Sequence, residues 1–588
     1  MCGINGAVGP GRVPLEAMNT LTRHRGPDFA GVYRGEGVQM GHNLLAIREM
    51  SDLSQQPVTH KDSPWVLTFV GQIYNTRDIC KKFALPYHDL DTSVIFELIE
   101  KVEWDFARHI QGMFTIALYN KDEGVMRLYR DRSGQKQVYY TRINGTFVYS
   151  SEIKALLAAG ATTEADHEGL MLATALGYIP GHLTLFKNIY KVDAGEVITI
   201  QTDGSYTRAY YESDTNRFDG EPSAVMQELV AEHLASKQKV SLNLSGGLDS
   251  SVLLHEMKEA GHALSTYTTA FEGAGENFNE DAMIARDLAR DYGTTHTEIT
   301  ITPDIFLNNF IEAYALIEEP NYNISLPTYL EVARREGIKG DGNRVILSGD
   351  GGDEVFGGYR YYAQSIKNHN LMRAITPLLF NVGKRLRTNR SWDYADPCEE
   401  WLAFKYFDFE EMPGEQQFVR AYITDIAARR GLARNDPLRA LMTLDRALWM
   451  AGENFIRSDK LYMSESIELR APLAYEPLRA YFDTRLSGTD YFKNGGNKQY
   501  LRNLYRGKLP DYVIDRKNKT GWRTPVRPWY DTRFKELFLS ILAEAPRGGT
   551  VRWDYLMDEV RAKDTWPGKY VFLYLSLAIL AKKYTVVL

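Results

Sequence analysis

The chain has 588 residues, 44% hydrophobic and 25% charged, which is typical of globular domains and too long for one hydrophobic core. Its formal net charge of −7 lacks the basic excess of a dedicated nucleic-acid binder, so we expect no nucleic-acid partner. Its three cysteines, Cys2, Cys80 and Cys398, lie far apart and predict neither a disulfide framework nor a zinc site.

The first part, residues 1–205, has short β-rich segments separated by turn residues. We predict strands at 65–71, 113–119, 126–129, 147–150 and 196–202. Helical patterns at 15–21 and 93–101 indicate helices that cover the strands. This order predicts a four-layer sandwich, and the polar, irregular segment 206–222 is interpreted as a linker.

In the second part, residues 223–588, strands and helices alternate. We predict helices at 223–234 and 281–292 and strands at 239–244, 265–271 and 344–347. The alternation indicates a doubly wound parallel sheet, followed from about residue 370 by mostly helical segments. The apolar run 570–580 is shorter than the ~20 residues of a membrane span, so we expect a buried helix, no membrane partner and a cytoplasmic location.

A turn rich in serine and glycine, residues 244–251, joins a predicted buried strand to a helix N-terminus. Gly246 and Gly247 let backbone N–H groups approach phosphate oxygens, and the helix dipole favours negative charge. We therefore predict ATP binding by Leu244, Ser245, Gly246, Gly247, Asp249, Ser250 and Ser251. Because a carboxylate among phosphates repels them unless a cation stands between, Asp249 implies Mg²⁺.

An acidic, glycine-rich loop, residues 348–359, follows the strand predicted at 344–347. At the carboxyl end of a neighbouring parallel strand, this loop is expected to face the same crevice as the 244–251 turn. We assign Ser348 and Gly349 to the ATP site and place Asp350 and Asp353 beside it.

A thiol at position two becomes N-terminal if Met1 is removed. The Cys2 thiolate is then a candidate nucleophile, with its own α-amine as the base, for releasing ammonia from a carboxamide.

Several short motifs follow Cys2 in order. They are RHRGPD at 23–28, GQIYN at 71–75, GMF at 112–114, RDRSG at 130–134 and SSEIKAL at 150–156. On these motifs the sequence resembles a class II glutamine amidotransferase domain. Together with the 244–251 turn, the chain from position 1 to about 529 is similar to the asparagine synthetase B family. The resemblance implies an α+β N-terminal nucleophile hydrolase sandwich (αββα), then an α/β doubly wound PP-loop domain with a helical C-terminal part.

The resemblance also implies roles for residues of the second part. Asp353 matches a metal ligand that would share Mg²⁺ with Asp249, and Asp350 matches an acidic position associated with acyl-adenylate formation. Lys498 matches an active-site lysine that would neutralise charge on the α-phosphate, and Thr269 matches a position of backbone contact with adenine. Segments at 456–460, 464–472, 498–502 and 516–522 resemble those that close the family's site.

The amidotransferase-like pocket departs from the family pattern. Gly71, Gln72 and Asp91 fall at glutamine-binding positions, of which Asp91 matches the carboxylate that meets the substrate amine. Leu44 stands where the family has an arginine for the glutamine α-carboxylate, while Val70 and Gln72 replace an asparagine and a glutamate. Arg48 lies four residues after Leu44, which in a strand is the same face.

Two enzymatic hypotheses follow. The first is asparagine synthesis from aspartate, in which glutamine hydrolysis at Cys2 supplies the ammonia and an acyl-adenylate is formed with ATP and Mg²⁺. The alternative is a related amide ligase or cyclase with impaired glutaminase, using ammonia or another amine on a different carboxylate. We also weigh a regulatory subunit, against which Asp249, Asp350, Asp353 and Lys498 argue, and a tRNA-modifying enzyme, which the net charge disfavours. A homodimer is considered.

Overall fold

The computed structural model describes residues 2–48, 54–337, 339–366, 396–406, 412, 414–432, 436–492, 496–516, 523–562 and 567–588. Met1 and most of the 516–522 segment therefore lie outside the described residues.

Twelve strands of the first part form two antiparallel sheets. They are β1 Gly3–Val8, β2 Phe29–Gly35, β3 Val38–Leu44, β4 Val58–Thr59, β5 Trp65–Ile73, β6 Gly112–Asn120, β7 Val125–Arg130, β8 Tyr139–Ile143, β9 Thr146–Ser150, β10 Tyr190–Lys191, β11 Glu196–Gln201 and β12 Tyr206–Tyr210. One sheet has the order β10-β8-β9-β1-β3-β2 and the other β12-β11-β7-β6-β5-β4.

Helices cover the outer face of each sheet. They are α1 Leu15–Leu21, α2 Thr76–Phe83, α3 Asp91–Val102, α4 Phe106–His109 and α5 Ile153–Ala158, whereas α6 His167–Leu176 packs against the helix Glu415–Arg429 of the second part. Strand β5 shows why the layers form, because its side chains alternate between two cores. Val66 and Val70 are buried between the sheets, whereas Leu67 and Phe69 pack in the cluster that includes Ile95 of α3. The predicted αββα sandwich is confirmed.

Strand β12 falls within the segment that the sequence indicated as a linker. Its backbone pairs antiparallel with β11, and the Tyr206 ring contacts those of Tyr140 and Phe147 at centroid distances of 5.6 and 5.3 Å. The sheet therefore extends five residues, Tyr206–Tyr210, into the expected linker. The polar composition of this segment indicated irregular structure, but the aromatic packing of Tyr206 stabilises an edge strand. The domain boundaries stay a prediction.

The second part is built on a parallel sheet of five strands. They are β13 Val240–Asn243, β14 Ser265–Phe271, β15 Thr295–Ile301, β16 Val345–Leu347 and β17 Glu468–Arg470, in the order β15-β14-β13-β16-β17. The helices between them are α7 Pro222–His233, α8 Leu248–Glu259, α9 Glu276–Tyr292, α10 Pro303–Ile317, α11 Leu326–Glu336 and α12 Gly352–Phe356. Since the chain runs outward from β13 to β15 and resumes on the other side with β16, the switch point of the sheet lies between β13 and β16.

The remainder is mostly helical, as predicted. The helices are Pro397–Lys405, Glu415–Arg429, Pro437–Leu444, Phe455–Ser464, Glu476–Asp483, Gly488–Tyr491, Gln499–Tyr505, Asp511–Ile514, Val526–Trp529, Thr532–Ala543, Trp553–Ala562 and Tyr570–Tyr584, with a π-helix at Asp445–Asn454. The helix Tyr570–Tyr584 is largely buried. Among the described residues, no helix combines the length and apolarity needed to cross a membrane.

Candidate functional site

The serine- and glycine-rich turn joins β13 to the N-terminus of α8 at the switch point. Gly246 has φ +68°, and a Cβ there would lie 2.5 Å from the Asp281 carbonyl oxygen, so the turn requires glycine. The Ser250 and Ser251 hydroxyls donate to the Gly247 carbonyl at 3.1 and 2.9 Å, which holds the turn against the helix. The arrangement is a helix N-terminus with backbone N–H groups and hydroxyls in one place, which suits an anion.

Lys498 joins the turn to the acidic loop. Its Nζ bonds to an oxygen of Asp249 and lies 2.5 Å from Oδ1 of Asp353. Three segments far apart in sequence thus converge on one ammonium, which is buried. Lys498 has φ +53° at the N-cap of the helix Gln499–Tyr505, a left-handed conformation that costs a non-glycine residue roughly 1–3 kcal/mol.

Glycines make room for this convergence. A Cβ on Gly358 would lie 1.6 Å from Oδ1 of Asp353 and 2.5 Å from Cε of Lys498. A Cβ on Gly349 would lie 3.0 Å from Cβ of Asp249. The glycines of the acidic loop therefore bring two carboxylates and a lysine into contact.

The two carboxylates fit a divalent cation. No group of three or more His, Cys, Asp or Glu side chains with metal-site geometry occurs among the described residues. Mg²⁺, however, is commonly held by one or two carboxylates with phosphate oxygens and water. Asp249 and Asp353 already share one cationic partner, so their oxygens are placed for a shared cation.

Beside the turn, a cavity of about 80 Å³ opens against β14. Leu244, Ser245 and Thr269 line it, so three of the predicted ATP-site residues lie together. Glu336, at the end of α11, also lines this cavity and is buried. Burial raises the pKa of its carboxyl well above the ordinary value. No sequence pattern marked Glu336, because nothing in its surroundings distinguishes it from an ordinary helical glutamate.

Asp350 lies next to a cluster of polar groups. Ser348 Oγ donates to Asp350 Oδ2 at 2.9 Å, and Asn454 Nδ2 donates to Asp350 Oδ1 at 3.4 Å. Arg457, one turn after the π-helix, donates to Glu453 Oε1 at 3.0 Å, and the Asp350 charge helps to raise the pKa of Arg457. Arg457 lies in the segment 456–460 that resembles one closing the family's site, whereas no sequence pattern marked Glu453 or Asn454. The π-helix that presents the first two is a feature frequent at functional sites.

The second site surrounds Cys2 in the first part of the chain. A cavity of about 40 Å³ is lined by Cys2, Leu44, Arg48, Gly71, Gln72 and Asp91, among others. Gly71 has φ +132°, and a Cβ there would lie 1.9 Å from the Met113 carbonyl oxygen, so this position requires glycine. Burial raises the pKa of the Cys2 thiol, and Nε of Arg25 donates to the Cys2 carbonyl at 3.2 Å.

Gln72 forms hydrogen bonds with residues from both parts of the chain. Its Nε2 donates to Asp91 Oδ2 at 2.7 Å, while its Oε1 accepts from Arg48 Nε at 3.3 Å and from Arg470 Nη2 at 3.1 Å. Burial raises the pKa of Asp91, although Arg48 opposes the shift. Arg48 lines the same cavity as Leu44, although β3 ends at Leu44 and Arg48 comes from the loop that follows, so the pocket holds a cation where Leu44 supplies none.

Strand β17 brings the parallel sheet to the Cys2 pocket. Glu468 lines the cavity and accepts a 2.6 Å hydrogen bond from Nε of Arg470. Nearby, Nη2 of Arg25 bonds to Asp459 Oδ2 at 2.7 Å, and Lys136 Nζ lies 3.3 Å from Asp459 Oδ1. Buried ion pairs therefore join the two parts of the chain beside the Cys2 pocket.

Comparisons with known proteins agree with this division. The family model for the glutamine amidotransferase domain matches residues 1–211, and that for asparagine synthase matches residues 223–577. Asparagine synthetase [glutamine-hydrolyzing] 1 of Bacillus subtilis (strain 168) is 27% identical, with 92% of this chain and 89% of that protein covered. Asparagine synthetase [glutamine-hydrolyzing] 3 of the same organism is 26% identical, with 92% of this chain and 90% of that protein covered. Asparagine synthetase B of Escherichia coli (strain K12) is 27% identical, covering 64% of this chain and 67% of that protein.

The fold, the paired sites and these matches define an ATP-using ligase that forms a carbon–nitrogen bond. The chain belongs to the asparagine synthase family, with a glutamine amidotransferase domain at its N-terminus. The resemblance found in the sequence is confirmed.

Proposed function

We propose that this protein makes asparagine from aspartate through an aspartyl-adenylate, with ammonia from glutamine hydrolysed at Cys2. The observation that carries the adenylating half is the contact of Lys498 with both Asp249 and Asp353 beside the 244–251 turn. One positive and two negative groups at a helix N-terminus suit a magnesium–triphosphate, whose phosphates and metal need both signs of charge.

In the adenylation step, an oxygen of the substrate carboxylate attacks the α-phosphorus of ATP, and pyrophosphate leaves. The backbone N–H groups of Gly246 and Gly247 and the hydroxyl of Ser245 hold the departing phosphates. Mg²⁺, held by Asp249 and Asp353, supplies charge neutralisation when bound. The Lys498 ammonium neutralises the charge that develops on the α-phosphate. An amine then displaces AMP, and the amide forms.

For the acceptor, the cluster beside Asp350 supports an amino acid. The Arg457 guanidinium and the Glu453 carboxylate lie side by side and buried, so the cluster offers a cation and an anion to a zwitterion. Nδ2 of Asn321 and Nδ2 of Asn323 also donate to Glu453, at 3.3 and 3.1 Å. Aspartate, with one more carboxylate to be activated, matches this chemistry and the activity for which the related asparagine synthetases are named.

For the nitrogen, the Cys2 pocket supports glutamine. Cys2 is a nucleophile, Asp91 an anion for the substrate amine and Arg48 a cation for the α-carboxylate, and all three line one cavity. Nucleophilic use of Cys2 requires removal of Met1, which frees the α-amine as the base. We propose that ammonia passes from this pocket to the adenylate along the interface between the two parts. A homodimer and a cytoplasmic location stay predictions.

Adenylation is tested by pyrophosphate and AMP release from Mg-ATP with aspartate and ammonium. We expect release that requires aspartate and falls roughly 10²- to 10³-fold in Lys498→Met, because one stabilising group of the transition state is lost. Lys508→Met, an exposed lysine near the same helix, is the matched control and should leave the rate unchanged. Failure of aspartate to release AMP, or equal rates in both variants, would overturn the adenylation proposal.

The nitrogen source is tested separately by glutamate release from glutamine. We expect release by the wild-type protein and none above background in Cys2→Ala. Equal background in both proteins, together with ammonium-dependent amide formation, would assign the chain to the alternative, an amide ligase with impaired glutaminase. The altered residues Leu44, Val70 and Gln72 are the observation that favours this alternative.

A further inference from the structure

A third cavity lies between the two parts of the chain, away from the cavities beside Thr269 and Cys2. Its volume is about 320 Å³, larger than the 80 and 40 Å³ of the other two. That volume is typical of small-molecule binding sites. Its walls come from the loop after β7, from α12, from the π-helix and from the helix Glu476–Asp483.

The walls of this interface cavity carry an excess of positive charge. Five arginines line it against three carboxylates. The arginines are Arg132, Arg430, Arg439, Arg446 and Arg479, and the carboxylates are Glu354, Glu476 and Asp483. Since buried guanidinium groups are normally paired, the partners of each arginine decide which of them are available to a ligand.

Two of the arginines are satisfied by carboxylates. Nε of Arg479 bonds to Glu476 at 2.9 Å, and its Nη1 also contacts Asp483. Nε of Arg439 lies 3.0 Å from Asp436. These two side chains shape the cavity without offering it a free charge.

Among the described residues, the other three arginines have no such hydrogen bond to a carboxylate, and Arg132 donates from Nη1 to the Tyr211 carbonyl oxygen at 3.2 Å. Nε of Arg132 is 4.0 Å from Glu476, and Nη2 of Arg446 is 3.9 Å from Asp483, both beyond hydrogen-bond distance. Arg446 donates instead to the Glu354 carbonyl oxygen at 3.1 Å and to Thr443 Oγ1 at 3.0 Å. Burial lowers the pKa of Arg446, although the charge of Asp483 opposes the shift.

Arg430 is the clearest of the three. Its Nε is buried and has no hydrogen-bond partner in the described part of the chain, and its guanidinium lies 5.0 Å from the Tyr210 ring centroid. The nearby carboxylate of Asp193 is already bonded to the Tyr210 hydroxyl at 3.0 Å and to Arg429 at 3.2 Å. A buried, unpaired donor of a charged group is costly, and an anion in the cavity would remove that cost.

We propose that this cavity binds a small molecule with at least two anionic groups, phosphate or carboxylate, held by Arg132, Arg430 and Arg446. Guanidinium forks bind both kinds of group in two-pronged geometry. Met450 and Phe455 give one wall an apolar surface, which suits a ligand with a carbon skeleton.

The position of the cavity gives the ligand a second effect. Arg132 belongs to the amidotransferase domain, whereas Arg446 is bonded to the backbone of Glu354, the residue after Asp353. A bound anion therefore contacts both parts of the chain at once. This inference rests on the cavity and is independent of the proposed substrates.

The test is isothermal titration calorimetry on the full chain with two probes, citrate for carboxylates and tripolyphosphate for phosphates. All proteins carry Lys498→Met, so that tripolyphosphate binding at the 244–251 turn is weakened. We expect at least one probe to bind. Arg430→Met or Arg132→Met should raise its dissociation constant about tenfold or more, since each variant removes a hydrogen bond to a charged group. Arg429→Met, the neighbour that bonds to Asp193 and Asp425, is the matched control and should bind as before.

Thermal unfolding of each variant checks that it is folded, and two variants from different parts of the chain guard against local misfolding. The probe that binds identifies the anionic group. Absence of binding by both probes would show a cavity filled by water alone and would overturn the proposal. So would equal weakening by Arg429→Met, because that result would report the general charge of the surface and not the cavity.

Discussion

Nη2 of Arg470, in the last strand of the parallel sheet, donates a 3.1 Å hydrogen bond to Oε1 of Gln72 in the amidotransferase domain. The same guanidinium bonds to Glu468 and to the carbonyl oxygens of His233 and Ala235. One buried side chain thus satisfies groups from three segments and fixes the wall of the Cys2 pocket.

Replacing this arginine should destabilise the whole protein. Arg470→Met leaves Glu468 buried without its main cationic partner, and we expect a loss of about 3–5 kcal/mol in the free energy of unfolding, measured by urea denaturation. Arg485→Met, an exposed arginine, should change it by less than about 0.5 kcal/mol. Equal stability of the two variants would contradict the role given to Arg470.

Adding one methyl group to Gly358 should abolish most adenylation. The new Cβ would overlap Oδ1 of Asp353 at 1.6 Å and Cε of Lys498 at 2.5 Å, so both side chains must move. A displacement of about 1 Å can cost 10²-fold in rate, and we expect a fall of that size in pyrophosphate release by Gly358→Ala. Gly220→Ala, where a Cβ meets nothing within 4 Å, should retain the wild-type rate. An unchanged rate in Gly358→Ala would show that the contact between Lys498 and Asp353 does not contribute to adenylation.

Arg48 should set the affinity for glutamine. If it holds the α-carboxylate in both ground and transition states, Arg48→Met should raise KM for glutamine about tenfold or more with a smaller change in kcat. Glutamate release measured over a range of glutamine concentrations gives both values. Arg77→Met, exposed in α2, is the control. A fall in kcat at constant KM would assign Arg48 to a different role.

Acid should weaken the interface between the two parts. Burial alone would raise the pKa of Asp459, but Arg25 and Lys136 outweigh it, and the pKa lies below the ordinary 3.8. A lowered folded-state pKa stabilises the protein fully above the unfolded value of about 3.9, and this contribution is lost as pH falls through the folded-state value. Asp459→Asn should therefore lower the melting temperature at pH 7, and the difference from wild type should narrow below about pH 4.

The control for this titration is Asp122→Asn, an exposed aspartate in the turn between β6 and β7. Its melting temperature should follow that of the wild type at every pH. A constant difference between Asp459→Asn and wild type from pH 7 to pH 3 would show that the ion pair contributes nothing that titrates.

Local pattern predicted much of this structure. Helix α1 and strand β14 begin and end where the periodicity indicated, and the strand-to-helix turn at 244–251 lies at the switch point of the sheet. The resemblance to the asparagine synthetase B family implied that Asp249, Asp353 and Lys498 share one site, and the three side chains are in contact. The even spacing of Leu44 and Arg48 assumed a continuous strand, whereas β3 ends at Leu44 and the loop after it carries Arg48 into the same pocket.

Long-range contacts could not be predicted in this way. Gln72 and Arg470 are 398 residues apart, and periodicity reports only on neighbours along the chain. Glu336 and Glu453 look like ordinary helical charges until burial is known. The left-handed conformation of Lys498 likewise depends on the fold around it, because its local sequence predicts only a helix start.

The buried ion pairs between the two parts bear on how this gene can change. The ion pair of Arg25 with Asp459 and the hydrogen bond of Gln72 with Arg470 both cross between the halves, so each half contains buried charged or polar groups that the other half helps to satisfy. Within its own half, Arg25 also contacts Glu152 at 3.3 Å. An isolated amidotransferase half would present the Arg25 guanidinium without Asp459. A chimera that combines either half with the half of a relative must therefore keep these residues as matched sets. For the same reason, a substitution at one of these positions requires a compensating substitution in the other half.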